Sequence, residues 1–199
     1  MVTRTLRDSL RFVSTFVRKP GTVGAVWPSS PRLAQALAGD LGLRPGDVVV
    51  EYGPGTGPMT RVVAEQLAAV PSARFLGIEL DAGFVDVLRR QHPELDFACG
   101  SVVDAARLVK ERGLGRARYI LSGLPFASLP AVVQEGTIAG VLDVLAPDGE
   151  FRTFQYLHAY RLPKARSFRA LMAKHFSHFE RSRPILRNVP PAFVLTYRR

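Results

Sequence analysis

The chain has 199 residues, 47% of them hydrophobic, a size that suits one α/β domain with a single core. Its single cysteine, Cys99, excludes an internal disulfide framework and a cysteine-based zinc site, and we expect no bound metal. No apolar run reaches the roughly 18 residues of a membrane-spanning helix. The arginine-interrupted start lacks the cleavage site of a secretory signal. A cytoplasmic protein is therefore expected.

The net charge of +10 is distributed unevenly along the chain. Residues 151–199 alone carry +10 and residues 1–20 carry +4, whereas the residues between them carry −4. Basic charge concentrated at the two ends indicates an anionic partner, either nucleic acid or a membrane surface. A basic surface that only keeps the protein soluble is the simpler alternative.

The first predicted element is an amphipathic helix over residues 1–20. Leu6, Leu10, Val13 and Val17 recur at helical spacing, and arginines occupy much of the remaining surface. Such a helix can pack on the folded domain. It can also lie in the membrane interface, with its arginines on anionic headgroups.

From Asp47 onward, short apolar runs alternate with helical patterns, and we assign residues 21–199 to one domain. The alternation predicts βαβ units and a Rossmann-like, mostly parallel seven-stranded sheet flanked by helices. The predicted strands cover residues 48–52, 74–80, 96–99, 118–123, 151–157, 178–183 and 192–197. The predicted helices end near residue 69, begin at 81, end near 110, and span 132–145 and 168–175. Pro147-Asp148-Gly149 predicts a turn before the fifth strand.

The strongest local signal is the sequence VVVEYGPGTG at residues 48–57, an apolar strand that runs into alternating glycines. Gly53, Gly55 and Gly57 would let the backbone turn sharply and let a ligand approach closely. Their G-x-G-x-G spacing does not meet the G-x-G-x-x-G pattern of dinucleotide-binding loops. A ligand other than a dinucleotide is therefore the better interpretation.

Two acids accompany this turn. Glu51 directly precedes it and suits a cationic amino-acid group. Glu79 closes the second predicted strand, close to the ~20-residue offset at which an acid can accept both hydroxyls of a ribose.

These features resemble the Class I S-adenosylmethionine-dependent methyltransferases. The resemblance implies that the glycine loop, with Glu51, holds the methionine part of S-adenosylmethionine, and that Glu79, with Leu80 beside it, holds the ribose. S-adenosylhomocysteine would be the product. In this family an acid usually follows the third strand, near the adenine.

At the matching position this chain has Cys99-Gly100-Ser101-Val102, which departs from the family pattern. The resemblance therefore points to Ser101 and the backbone of Val102 as cofactor contacts. Asp104 follows three residues after Ser101, and we expect it to begin the next helix.

After the fourth predicted strand, residues 121–126 read Leu-Ser-Gly-Leu-Pro-Phe. They look like the N-L-P-Y loop of the ribosomal RNA adenine dimethyltransferases, with Gly123 in place of the asparagine that accepts from a flat base. Backbone carbonyls of Ser122 or Leu124, together with the face of Phe126, could instead hold an aliphatic amine. Ser122 is also a predicted cofactor contact. A proline-containing turn with Phe126 in the core is the alternative.

Further segments look like the bacterial phospholipid N-methyltransferases, which convert phosphatidylethanolamine stepwise toward phosphatidylcholine. They are GAVWPSS at 24–30, the 121–126 loop, FQY at 154–156 and NVPPA at 188–192. The resemblance implies a phospholipid N-methyltransferase bound peripherally to the inner face of the cell membrane. Its partners would be an anionic membrane surface and an aminophospholipid, without nucleic acid and without an obligate protein partner.

The reaction depends mainly on positioning, because the sulfonium already carries an activated methyl group. An ammonium acceptor must lose a proton before it attacks. We predict Leu124, Phe126 and Tyr156 as the catalytic neighbourhood, with His158 near Tyr156. A core tyrosine and a surface histidine are the alternatives for the last two.

Three arginines are candidates for the lipid phosphate, because the guanidinium binds phosphate in a bidentate manner. They are Arg161, Arg183 and Arg187. For each of them an ordinary solvated charge is the alternative.

Other functions are compatible with parts of the sequence. A ribosomal RNA adenine-N6 dimethyltransferase fits the positive charge, but the missing asparagine at Gly123 and the lack of a small RNA-binding domain after the sheet count against it. An ornithine-lipid N-methyltransferase would use the same chemistry on another aminolipid. A non-catalytic membrane-binding protein with a degenerate cofactor fold would not need the intact glycines and Glu79.

Overall fold

Residues 30–199, which the computed structural model describes, build a seven-stranded sheet with three helices on each face. The predicted helix over residues 1–20, the predicted domain start at residue 21 and most of the GAVWPSS motif lie outside the described residues. The strands are β1 Val48–Tyr52, β2 Arg74–Glu79, β3 Asp96–Cys99, β4 Ala117–Ser122, β5 Leu145–Tyr156, β6 His178–Arg181 and β7 Ala192–Arg198.

The order across the sheet is β3-β2-β1-β4-β5-β7-β6. All neighbouring pairs from β3 to β5 are parallel, whereas β7 is antiparallel to both β5 and β6. Parallel neighbours joined through helices are the βαβ units that the alternating pattern predicts. The predicted Rossmann-like, mostly parallel seven-stranded sheet is confirmed.

The helices divide equally between the two faces. One face carries α1 Pro31–Ala38, α2 Pro58–Ala68 and α3 Ala82–Gln91, and the other carries α4 Ala105–Glu111, α5 Ala131–Val144 and α6 Pro163–Met172. Helix α1 was not among the predicted helices, although Ser30 caps it by accepting from the Leu33 N–H and Pro31 occupies its first turn. Within residues 30–199, no helix is long and apolar enough to cross a bilayer.

Strand β1 lies at the centre of the core. Val48, Val50 and Tyr52 pack on the side of α4, α5 and α6, and Val49 packs on the side of α1, α2 and α3. All five residues of the strand are buried, as in a parallel strand that is covered on both faces. Its position fixes the glycine turn that follows it.

Strand β5 begins earlier than predicted. Leu145, directly after α5, already pairs with Ala117, and the register then jumps to Glu150 opposite Tyr119. The predicted turn at residues 147–149 is therefore an irregularity within β5, because pairing has begun before it.

The carboxyl ends of β1 to β5 meet at one edge of the sheet, where open α/β sheets bind their ligands. Because β7 runs in the opposite direction, the segment before it, residues 182–191, reaches the same edge. There the Leu157 N–H donates to the Pro191 carbonyl at 2.7 Å. The connection after β5 and the segment before β7 are thus joined at the carboxyl edge of the sheet.

Candidate active site

A cleft at the carboxyl edge collects most of the residues predicted to bind a cofactor. The glycine turn, the end of β2, the segment after β3 and the loop after β4 all contribute to it. Its lining includes Gly53, Gly55, Glu79, Leu80, Ser101, Val102 and Leu124. A more open groove at the opposite edge, between Leu67 and Leu95, contains none of the predicted site residues.

The turn after β1 depends on its glycines. Gly53, Gly55 and Gly57 have φ angles of 68°, 58° and 80°, in the left-handed region that side chains disfavour. A Cβ at Gly53 would also lie 2.7 Å from Cδ2 of Leu124. The backbone of the turn therefore lies directly against the loop that follows β4.

Glu79 is held by the backbone on both of its carboxylate oxygens. Oε2 accepts from the Gly55 N–H and Oε1 from the Asp81 N–H, each at 3.0 Å. Burial raises the pKa of Glu79 above its usual value, and these backbone hydrogen bonds oppose the rise. Since each oxygen has lone pairs left, the carboxylate can still accept from a ligand. These two acceptor oxygens fit the two hydroxyls of a ribose, which would donate to them.

Glu51 is fully buried beneath the glycine turn and does not line the cleft. Its Oε2 accepts from Thr60 Oγ1 at 2.8 Å, whereas Oε1 has no partner among the described residues. Burial raises the pKa of Glu51 to about 8; the Thr60 hydroxyl lowers it and the charge of Glu79 adds to the rise. A buried acceptor without a partner fits a cationic group that approaches through the turn.

The segment after β3 supplies the predicted contacts near the adenine. Ser101 is buried, and its Oγ accepts from the Val103 N–H at 3.2 Å. Ser101 and Val102 both line the cleft. Asp104 is exposed, lies 3.8 Å from Arg107 and directly precedes α4, as expected for a residue at the start of a helix.

The loop after β4 places Gly123 and Leu124 in the cleft but not the side chain of Ser122. Ser122 is fully buried, and its Oγ accepts from the Leu124 N–H at 3.3 Å. A Cβ at Gly123 would lie 2.9 Å from the Gly53 carbonyl oxygen, closer than real Cβ atoms approach. The close approach of two backbones therefore requires glycine at this position.

Phe126 does not line the cleft. Its ring is 1% exposed, stacks on Phe168 with centroids 4.8 Å apart and meets Phe151 edge-on at 6.0 Å. The ring therefore belongs to the core, as the alternative interpretation predicts. It is not exposed in the cleft, where the expected contact with an ammonium group would be made. Gln134 fixes the loop by donating to the carbonyls of Phe126 and Leu129.

Tyr156 is the last residue of β5 and His158 follows the strand, and neither is among the residues that line the described cleft. Their rings stack with centroids 5.7 Å apart, and burial raises the pKa of Tyr156. Tyr156 packs with Phe154 on the face of the sheet that α1, α2 and α3 cover. The structure therefore does not bring Tyr156 together with Leu124.

The three predicted phosphate ligands are all exposed: Arg161, Arg183 and Arg187. Arg161 follows β5, and the other two lie in the segment between β6 and β7. The structure therefore places all three in connections that reach the carboxyl edge, outside the cleft lining.

Sequence reasoning missed the apolar wall of the cleft. Leu129 and Val133, in the loop after β4 and in α5, line it together with Ile78 and Pro125. Their pattern in the sequence is that of ordinary core residues, so no local signal separates them from the core.

One curated relative aligns with most of the chain. The chain is 32% identical over 149 residues to the ornithine lipid N-methyltransferase of Singulisphaera acidiphila, an alignment that covers 73% of this chain and 77% of the relative. It is 36% identical over 83 residues to the ribosomal RNA small subunit methyltransferase A of Thermotoga petrophila, which covers 39% of this chain and 30% of that protein. No protein-family profile matches the chain.

Solved structures share the fold at low sequence identity. The O-methyltransferase of Bacillus cereus, in complex with S-adenosylhomocysteine, superposes with a TM-score of 0.64 at 13% identity, covering 96% of this chain and 91% of that one. TrmN of Thermus thermophilus gives a TM-score of 0.59 at 20% identity, covering 91% of this chain and 52% of that one.

Proposed function

Because the chain belongs to the Class I S-adenosylmethionine-dependent methyltransferases, in the family of the ornithine lipid N-methyltransferase of Singulisphaera acidiphila, we propose that it methylates the amine of a membrane aminolipid. S-adenosylmethionine is its cofactor. The proposed acceptors are phosphatidylethanolamine and its mono- and dimethyl derivatives, and the enzyme would act peripherally at the inner face of the cell membrane. Ornithine lipid is the second candidate, favoured by the name of the relative that aligns with most of this chain.

The observation that carries the proposal is the packing of Gly123 against the Gly53 carbonyl. No side chain fits there, so an amide that would hold a flat base is excluded at this position. The Leu124 carbonyl accepts from the Phe126 N–H at 3.0 Å and keeps a second lone pair for another donor. Backbone carbonyls of this kind are sufficient to bind a small aliphatic amine by accepting its hydrogen bonds. This supports the amine of a lipid headgroup, rather than the amine of an adenine, as the methyl acceptor.

When bound, S-adenosylmethionine would supply the activated methyl group. Glu79 would orient the ribose through its two backbone-held oxygens, and Glu51 would hold the methionine ammonium. Leu124, Leu129 and Val133 would exclude water from the cleft. A backbone carbonyl would hold the acceptor ammonium by accepting its hydrogen bond, and the ammonium would lose its proton to water, because Tyr156 lies outside the described cleft.

The exposed arginines suit either candidate acceptor. A guanidinium binds phosphate and carboxylate with the same bidentate geometry. Arg161, Arg183 and Arg187 could therefore hold the phosphate of phosphatidylethanolamine or the carboxylate of an ornithine headgroup. The arginines therefore do not distinguish the two lipids, and the identity of the methylated product does.

The ribosomal RNA alternative has weaker support. The three ribosomal RNA methyltransferases that the chain matches are covered over only 27–32% of their lengths. The glycine requirement at Gly123 also counts against it.

The test is to incubate the purified protein with isotopically labelled S-adenosylmethionine and separate acceptors, and to identify the products by mass spectrometry. The acceptors are phosphatidylethanolamine, its mono- and dimethyl derivatives, ornithine lipid and ribosomal RNA. Label in any of these lipids, with none in the RNA, is expected. Label in the RNA alone would overturn the proposal, and the lipid that accepts label decides between the two candidates.

A further inference from the structure

Large hydrophobic side chains are exposed mainly in two loops. Among residues 30–199, four of the five such side chains lie in the connection after β5 or in the segment before β7, and the fifth, Phe179, lies on β6. The four are Leu157, Leu162, Leu186 and Val189, which are 40%, 54%, 67% and 72% exposed. We call residues 157–162 and 183–189 the docking loops.

Hydrogen bonds fix both docking loops to the residues around them. The Leu157 N–H donates to the Pro191 carbonyl at 2.7 Å, and the Asn188 amide donates to the Pro190 carbonyl at 2.6 Å. Asn188 Oδ1 also accepts from the Ser30 N–H at 3.1 Å. The apolar side chains are therefore exposed on an ordered support.

Arg169 fixes the first docking loop to the rest of the domain. Its guanidinium donates to the Tyr160 carbonyl at 2.9 Å and lies 3.8 Å from the centre of the Tyr160 ring. The same group donates to Gln155 on β5 at 2.6 Å. The loop is thus fixed to strand β5 through Arg169.

The charge of the docking loops is entirely positive. Arg161, Arg183 and Arg187 lie in them, Lys164 lies two residues after the first loop, and no acid occurs between residues 151 and 179 or between 181 and 199. None of these four cations forms an ion pair within residues 30–199. Their charge remains available to an anionic partner.

We propose that the docking loops bind the surface of an anionic lipid bilayer, an inference that rests on the proposed lipid methylation. The leucines and Val189 would enter the boundary between headgroups and acyl chains, while the arginines bind lipid phosphates. Because the cleft lies at the same edge of the sheet, a headgroup could reach it without leaving the membrane.

The chemistry of the loops separates a bilayer from other partners. Proteins that bind single-stranded RNA stack bases on aromatic side chains, whereas the four exposed side chains here are aliphatic. Protein interfaces are enriched in aromatic residues, and leucine and valine are under-represented among their energetically important positions, whereas leucines and a valine are what these loops expose. Protruding aliphatic groups among cations suit a lipid interface.

The test is co-sedimentation with vesicles of phosphatidylglycerol and phosphatidylcholine, without aminolipid and without cofactor. The double variant Leu186→Gln/Val189→Gln should bind about tenfold more weakly than the wild type, because it loses two apolar groups that enter the interface. Phe179→Gln, which also removes an exposed hydrophobic side chain but on β6, should bind as the wild type does. Circular dichroism checks that each variant is folded.

A second pair of variants tests the charge. Arg161→Gln/Arg187→Gln should weaken binding to the anionic vesicles and reduce its sensitivity to salt. Arg90→Gln, an exposed arginine at the end of α3, should leave both unchanged. Equal binding of the wild type to pure phosphatidylcholine vesicles would overturn the role of the charge.

The docking proposal is wrong if Leu186→Gln/Val189→Gln binds vesicles as well as the wild type, or if the loops bind an RNA oligonucleotide and not vesicles. The same double variant should keep wild-type activity on a soluble short-chain aminolipid. If the wild type methylates no aminolipid yet binds vesicles through these loops, the proposed function fails and the docking surface stands.

Discussion

Replacing Glu79 with glutamine leaves the size of the side chain nearly unchanged but removes one of its two acceptors. Both carboxylate oxygens accept from backbone N–H groups, those of Gly55 and Asp81, at 3.0 Å. Whichever oxygen becomes the amide NH2 then faces a backbone donor. The variant therefore weakens the support of the glycine turn and removes the charge that the ribose hydroxyls would meet.

The expected loss follows from these contacts. A hydrogen bond to a charged group contributes about 1.5 kcal/mol or more, so two ribose hydroxyls that lose their charged acceptor cost about 2–3 kcal/mol. This corresponds to a roughly 30- to 150-fold weaker affinity. Titration calorimetry with S-adenosylhomocysteine measures the change directly.

Glu65→Gln is the matched control, because Glu65 is exposed on α2 and outside the cleft lining. It should bind S-adenosylhomocysteine as the wild type does. An affinity of Glu79→Gln close to that of the wild type, in a variant that is folded by circular dichroism, would refute the placement of the ribose at Glu79.

Three further variants test other parts of the site and fold. Burial raises the pKa of Glu51 from 4.5 to about 8, so the folded state loses stability as the pH rises from 4.5 to about 8. Glu51→Gln should therefore melt several degrees above the wild type near pH 9 and at the same temperature as the wild type near pH 4. An unchanged difference across that range would contradict this. Gly123→Ala places a Cβ against the Gly53 carbonyl and should lower kcat/KM by about tenfold or more, since small displacements of positioned groups are costly; wild-type kinetics would show that the loop can shift. Burial raises the pKa of Glu150, but attraction and hydrogen bonds from Arg152 and Arg198 lower it overall. Glu150→Gln should therefore cost about 2 kcal/mol in urea unfolding at pH 7 and less in strong acid, where the wild-type carboxylate has also lost its charge. A constant cost at both pH values would argue against the ion pairs.

The fold was predictable because its signals are periodic. Each buried parallel strand is a short apolar run between helical patterns, and β1 was predicted with its observed bounds. The glycine turn was predictable because its positive φ angles favour glycine. Three closely spaced glycines in the sequence therefore indicate the conformation of the backbone.

Side chains in loops were harder to place. Whether Phe126 faces the cleft or the core depends on the conformation of the loop after β4, which Gln134 fixes from α5. The sequence does not show that Leu129 and Val133 line the cleft, because the wall of a cleft and the core of a domain use the same apolar residue types. Helix α1 was missed although Ser30 and Pro31 mark its start.

The antiparallel direction of β7 determines which segment of the chain could be exchanged with that of a relative. The described cleft is lined by residues between Gly53 and Val133, whereas both docking loops follow β5. A parallel final strand would have left residues 182–191 at the opposite edge of the sheet. A chimera that takes residues 157–191 from a relative, between the unchanged strands β5 and β7, would therefore acquire different loops at the carboxyl edge while retaining its own cleft.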